Sequence, residues 1–206
     1  MKPIKSFYKV NEIFHSIQGE GVYSGVPCDF IRMQGCDVGC SFCDTKYSWD
    51  MEGGQTLTIG DIISKMSNAK MVVITGGEPL MQDLSKLTYE LRLNGKYIAL
   101  ETSGCVGKPN LAAVFDWIVV SPKFHVVASR FNPEIIYHAH ELKFLIGRER
   151  DIDYIEEFIS TYPAPKAKIS IQPISQTANG TKLALEYCKQ KNYRLSLQLQ
   201  KYIGIR

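Results

Sequence analysis

Met71-Val72-Val73-Ile74-Thr75-Gly76-Gly77-Glu78-Pro79 is an apolar run that stops at a glycine pair and a proline. A short Val/Ile-rich stretch closed by turn formers reads as a buried strand. After it, Asp83–Leu93 spaces its apolar residues three or four apart, as a helix does, and a second apolar run follows at Tyr97–Glu101. Strand, helix, strand in that order is a right-handed parallel crossover. The pattern extends both ways along the chain. Cys28–Met33 reads as a strand and Ile59–Met66 as a helix on the N-terminal side. Trp117–Val120, Glu141–Ile146, Lys168–Gln172 and Arg194–Leu197 read as strands on the C-terminal side, with helices at Asp151–Thr161 and Thr181–Lys191. Asp151 is expected to cap its helix, and Pro163 and Pro165 to bar its continuation. A complete eight-stranded barrel takes about 250 residues. The expected fold is therefore an α/β, partial (open) TIM-like βα barrel of about six parallel strands. With no repeat, linker or low-complexity segment, residues 1–206 are expected to form one domain.

The composition excludes several classes. Hydrophobic residues make up 45% and charged residues 22%, which is globular rather than disordered. A net charge of +3, with the basic residues dispersed, gives no footprint for a nucleic acid. No apolar run approaches the ~18 residues of a membrane span. Met1–Val10 mixes lysines with aromatics and lacks the apolar core of a secretory signal, so a cytoplasmic protein is expected.

Four polar signals stand directly after strands: Thr75-Gly76-Gly77-Glu78-Pro79, Glu101-Thr102-Ser103-Gly104, Ser121-Pro122-Lys123 and Gln172-Pro173. In parallel α/β folds the C-terminal strand ends build the ligand site, so all four are expected at one mouth. Next to the same mouth lies Cys36-Asp37-Val38-Gly39-Cys40-Ser41-Phe42-Cys43, a C-x3-C-x2-C loop. Its short gaps allow three thiolates to wrap an iron–sulfur cube, leaving one iron without a protein ligand. A structural zinc site remains an alternative, although it calls for four ligands and Cys105 and Cys188 are isolated in sequence. Cys28, Cys105 and Cys188 read as small buried side chains. His15, His125, His138 and His140 show no metal-binding spacing, and solvent exposure is expected for His138 and His140.

The cysteine loop together with Gly76-Gly77-Glu78-Pro79 resembles the radical S-adenosylmethionine superfamily. Further motifs narrow the likeness: Phe14-His15-Ser16-Ile17-Gln18-Gly19-Glu20-Gly21, Phe30-Ile31-Arg32, Cys43-Asp44-Thr45, Ser121-Pro122-Lys123 and the tail Gln198-Leu199-Gln200-Lys201-Tyr202-Ile203-Gly204. These are similar to the 7-carboxy-7-deazaguanine synthase family over nearly the whole chain. One departure is Gln200, where that family commonly carries His.

The resemblance implies a 4Fe–4S cluster on Cys36, Cys40 and Cys43, with S-adenosylmethionine and Mg²⁺ as further cofactors. It implies S-adenosylmethionine binding by Phe42, Cys43, Asp44, Gly77, Glu78, Ser121, Pro122, Lys123, Gln172, Pro173, Ile174 and Ser175. A pterin substrate would be held by Ile17, Gln18, Gly19, Arg32, Thr75 and the terminal carboxylate at Arg206, with Thr45 on the magnesium. A flavodoxin- or ferredoxin-like electron donor and a homodimer are implied as well. Plainer readings stay open: Arg32 as a surface cation, Gln18 and Glu20 as stabilisers of the glycine-rich turn, Thr45 as a backbone partner. Two rival functions also stay open. One is a radical enzyme that activates a partner protein by making a glycyl radical; the other is a non-catalytic metal-binding module.

Overall fold

The computed structural model describes residues 6–105, 114–123 and 131–205. Its strands are β1 (Phe7–Ile17), β2 (Pro27–Met33), β3 (Gln55–Thr58), β4 (Met71–Gly76), β5 (Tyr97–Thr102), β6 (Trp117–Val120), β7 (Glu141–Ile146), β8 (Lys168–Pro173) and β9 (Arg194–Leu195). They join one sheet in the order β3-β1-β2-β4-β5-β6-β7-β8-β9. From β2 onward every pairing is parallel. The sheet ends in two different strands rather than closing, so the open-barrel expectation holds.

Two strands escape the sequence reading. β1 and β3 pair antiparallel with each other, and β1 pairs antiparallel with β2. β1 alternates apolar residues with Lys9, Asn11 and His15, and the glycines that follow it draw attention to a loop instead. The helices are α1 (Ile59–Ser64), α2 (Ser85–Leu93), α3 (Pro133–Tyr137), α4 (Arg150–Thr161), α5 (Ala178–Lys191) and α6 (Leu199–Ile203). α3 and α6, of five residues each, are too short for a periodicity to show. Asp151 does not occupy the cap of α4, which is Glu149. It lies in the first turn and its Oδ2 accepts from the backbone N–H groups of Gly147 and Arg148, at 2.8 and 3.1 Å. The carboxylate thus closes the chain entering the helix, where the dipole favours it.

The two faces of the sheet are built differently, because successive side chains in a strand point opposite ways. Ile31, Val72, Ile74, Ile98, Leu100, Ile118, Val120, Leu142, Phe144 and Ile171 are buried against the helices in one large apolar cluster. The alternate residues face the inside of the curved sheet. At its N-terminal end they form a second cluster of Cys28, Met71, Val73 and Ala99, packed with Tyr23, Tyr97 and Trp117. One or two steps further along the same strands the inner positions turn polar: Arg32 on β2 beside Thr75 on β4, Glu101 on β5, Lys143 on β7, Gln172 on β8. The apolar plug closes one end, and the polar row opens at the other.

Candidate active site

A cavity of about 300 Å³ occupies the C-terminal mouth of the sheet. Its wall includes Gly76 to Glu78, Glu101 to Ser103, Ser121 with Lys123, and Gln172 with Pro173. The four strand-end signals therefore meet around one space. Cys36, Cys40, Phe42, Cys43, Asp44, Thr45, Ile17, Gln18, Gly19, Arg32, Thr75, Ile174 and Ser175 line it as well. Of the residues anticipated from sequence, Pro122 is buried off the wall and Arg206 lies outside the described residues. His125 also lies outside them.

The cysteine loop is fastened along its length by backbone bonds. Gly35 N–H donates to Ser48 O at 2.9 Å, Cys36 N–H to Trp49 O at 3.2 Å and Cys43 N–H to Cys40 O at 3.1 Å. Burial raises the Cys36 thiol, and it raises Cys40 to about 11, with the neighbouring sulfurs of Cys43 and Cys36 adding to the Cys40 shift against the charge of Lys123. These thiols crowd one another and resist ionising unless a cation arrives between them, as a metal-thiolate site requires. Among the described residues no three His, Cys, Asp or Glu side chains are gathered tightly enough for a single metal ion. A four-iron cluster is larger than one ion and holds its thiolates further apart. The donor set, three thiols on one cavity wall with no fourth, thus fits a cluster with one open iron better than zinc. The remaining cysteines, Cys28, Cys105 and Cys188, are buried thiols outside any disulfide.

The turn after β4 is locked against the start of this loop. Gly77 N–H donates to Met33 O at 3.1 Å and Glu78 N–H to Gly35 O at 2.8 Å. A Cβ on Gly77 would stand 2.1 Å from Gly35 O, so no other residue fits. Their N–H groups are spent within the protein, and the carbonyls are what this turn can offer to an amino group. Glu78, anticipated among the S-adenosylmethionine residues, lines the cavity with its carboxylate already engaged by protein donors. Its Oε1 accepts from Thr102 Oγ1 at 2.7 Å and Leu80 N at 3.2 Å; its Oε2 accepts from Ser103 Oγ at 2.5 Å and Ser103 N at 2.9 Å. Four donors occupy the carboxylate, which ties the β4 turn to the end of β5. Burial pushes this carboxyl up, and the Ser103 and Thr102 bonds oppose the shift.

The same cavity wall holds a charged and amide network that no sequence motif announces. Lys143 Nζ donates to Glu20 Oε2 at 2.6 Å and to Glu101 Oε2 at 3.1 Å. Gln18 Nε2 donates to Glu101 Oε1 at 2.8 Å. Gln198 and Gln200 both donate to Glu20 Oε1, at 3.0 and 3.1 Å. All six side chains line the cavity. Gln200 lies over Gly19, where a Cβ would strike its Oε1 at 1.8 Å, and that oxygen is buried without a hydrogen-bond partner. The one available signal was a lysine and a glutamate, Glu141 and Lys143, alternating within an otherwise apolar strand. Glu20, for which the sequence leaves turn stabilisation open, reaches the cavity.

The other anticipated residues are placed as follows. Arg32 borders the cavity between Phe14 and Tyr47, its carbon 5.7 and 5.9 Å from their ring centres, and its Nε donates to Glu12 at 2.7 Å. It is therefore not a surface cation. Thr45 makes a 3.4 Å contact from Oγ1 to Cys43 Sγ. Lys123 donates to Ser121 Oγ at 2.6 Å, and burial pulls its ammonium below the usual lysine range. Asp44 Oδ2 is held by Lys201 at 2.9 Å and Gln198 at 3.3 Å. His138 is exposed as expected, but His140 is partly buried; its Nδ1 accepts from Ile118 N at 3.0 Å and its ring stacks on Trp117.

Residues 30–124 match the model of the Radical SAM superfamily. The 7-carboxy-7-deazaguanine synthase of Escherichia coli K12 is 37% identical, covering 96% of this chain and 99% of its own length. That of the cyanobacterium Synechocystis is 38% identical over 97% and 94%. The crystal structure of QueE from Escherichia coli superposes with a TM-score of 0.84 at 35% identity, over 94% of each chain. Streptococcus suis SuiB, at 14% identity and a TM-score of 0.54, shares the fold alone. The thiol-lined open barrel and these likenesses over its whole length agree: the chain belongs to the 7-carboxy-7-deazaguanine synthase family of the radical S-adenosylmethionine superfamily.

Proposed function

We propose that this chain converts 6-carboxy-5,6,7,8-tetrahydropterin to 7-carboxy-7-deazaguanine, with loss of ammonia, on the route to queuosine-type deazapurines. One observation carries the reading. Glu20 and Glu101 stand as a fixed pair of acceptors in the same cavity as the three thiols. The 2-amino-4-oxo edge of a pterin presents adjacent N–H donors, which such a pair matches. Arg32, in the wall of the same cavity, suits the substrate carboxylate. The cluster and S-adenosylmethionine, when bound, supply a 5′-deoxyadenosyl radical that removes a hydrogen atom from the pterin.

The protein's own part is to hold and orient. Cys36, Cys40 and Cys43 carry the cluster. Phe42, Asp44, the Gly77 carbonyl, Ser121, Lys123 and Gln172 to Ser175 hold S-adenosylmethionine. Gln18, Gly19, Ile17 and Thr75 hold the pterin, and Thr45 offers an oxygen to Mg²⁺, which retains waters elsewhere in its shell. Exposed Asp37, Gly39 and Ser41 in the cysteine loop give a flavodoxin- or ferredoxin-like donor a short path to the cluster. The family likeness supports a homodimer. The free thiols support a cytoplasmic site of action, and among the described residues no helix is long and apolar enough to cross a membrane. A cavity of this size, with charged and amide side chains in its wall, favours a small heterocycle over the polypeptide that a glycyl-radical activase must receive.

The test is turnover by anaerobically reconstituted protein with reductant, S-adenosylmethionine, Mg²⁺ and 6-carboxytetrahydropterin. Mass spectrometry is expected to find 7-carboxy-7-deazaguanine. Cleavage of S-adenosylmethionine to 5′-deoxyadenosine without that product would retain the radical chemistry and overturn the substrate.

A further inference from the structure

Lys143 lies at the third position of β7, flanked by Leu142 and Phe144 of the helix-side core. Its residue is 3% exposed, yet its side chain runs the other way, into the cavity wall. There the ammonium meets two carboxylates that arrive from separate parts of the chain. Glu101 stands near the end of β5, and Glu20 in the loop after β1. Nothing in the local sequence brings these two like charges together; the cation between them does.

We propose that Lys143 is a positioning residue. It holds Glu20 and Glu101 side by side as an acceptor pair, so that both receive donors from the edge of the substrate. The proposal rests on the pterin reading above and goes beyond it, because the lysine is assigned no substrate contact. Each carboxylate gives one oxygen to Lys143 and is steered by amides on the other. Gln18 serves Glu101, and Gln198 with Gln200 serve Glu20. Amides alone cannot offset two neighbouring negative charges in a site withdrawn from water, whereas an ammonium in contact with both can.

Other charged groups face the pair from every side. Glu141 precedes Lys143 on the same inner face of β7, and its carboxylate is occupied by Ser170, Val22 N–H and Trp117. Lys123 approaches from the segment after β6, Cys28 from β2, and Asp44 with Lys201 from beyond Gln198. The carboxylates outnumber the cations closest to them, so loss of Lys143 leaves an excess negative charge that one carboxylate relieves by taking a proton. In the intact protein burial would raise Glu20, but the charge and hydrogen bond of Lys143 overcome this and hold it at about 2, helped by Gln198 and Gln200. Lys143 is correspondingly held above the ordinary lysine range by Glu101 and Glu20, against the effect of its burial.

The sign follows directly. A carboxylate whose pKa rises into the neutral range loses its charge as pH falls, and with it an acceptor. Substrate affinity of a Lys143→Met protein is therefore expected to weaken on acidification, by up to about tenfold per pH unit below the new pKa. The measurement is equilibrium binding of 6-carboxytetrahydropterin to cluster-loaded, S-adenosylmethionine-bound, unreduced protein between about pH 6.5 and pH 8.5. The ratio of variant to wild-type Kd cancels any titration of the pterin itself. Lys143→Arg retains the charge and is expected to keep a flat ratio even where its geometry costs affinity. A ratio that is constant with pH for Lys143→Met, whether near one or uniformly high, overturns the proposal. Should that variant fail to fold, Lys143→Gln carries the same measurement, and failure of both neutral variants assigns the lysine to folding and overturns its role in recognition. If wild-type protein does not bind the pterin at all, it is the substrate reading that falls.

Discussion

Cys40 and Glu78 show how burial serves two ends at this site. Cys40 is buried in the cavity wall with its thiol pushed up to about 11 by burial, so it waits for iron to ionise it. Cys40→Ala is expected to abolish the absorbance of the reconstituted cluster and the formation of 5′-deoxyadenosine, with iron and sulfide content falling together. Glu78 is equally buried but fully occupied by Thr102, Ser103 and Leu80. Replacing it by Gln turns an amide N–H₂ toward those donors and strands at least one of them. The expected cost is about 2 kcal/mol, or roughly 4–8 °C in Tm for a chain of this length. Affinity for S-adenosylmethionine should drop alongside, because the turn that carries Gly77 is released; equilibrium dialysis with the cofactor checks this. The cysteine spacing is legible in sequence because the three cysteines are close in the chain. The occupation of Glu78 was not, since its donors come from another strand.

Among the elements, α6 and the segment leading to it do most to complete the cavity. Leu199 N–H donates to Gly19 O at 2.9 Å, Lys201 reaches Asp44, and Gln200 reaches Glu20. Gln176, next to Ser175 in a pair of left-handed residues after β8, donates to Gln198 O at 3.3 Å. This short segment therefore touches the glycine-rich loop after β1, the end of the cysteine loop and the segment after β8 together. Ending the chain at Gln198 removes two or three of these bonds, about 3 kcal/mol. Pterin turnover is expected to fall roughly a hundredfold, while reductive cleavage of S-adenosylmethionine without pterin persists. Loss of both activities would show instead that α6 is needed to keep the cluster loop in place. The tail motif was visible in sequence, but five residues carry too little periodicity to announce a helix. β1 was hidden for a related reason, as its polar residues on one face blur the strand signal beside the glycines that follow.

At the scale of the whole molecule, the sheet does not depend on the cluster for its core. The apolar layer between sheet and helices runs through β2 and β4 to β8, well beyond the cysteine loop. Removing iron by oxidation and chelation should leave the far-UV circular dichroism unchanged and lower Tm by only a few degrees, about 1–2 kcal/mol. A small metal module would unfold under the same treatment. Sequence alone determined the parallel strands β2 and β4 to β8, the helices α1, α2, α4 and α5, the cysteine loop and the strand-end motifs, because each is written in local periodicity or in spacing along the chain. Only the tertiary structure decided that Lys143 turns inward to join Glu20 and Glu101, that Glu78 is a brace, and that Gln200 closes over Gly19. Those contacts join residues 24 to 180 positions apart, and their partners are chosen by sheet register and by the direction in which each alternate side chain points. Neither is set until the strands have found their neighbours.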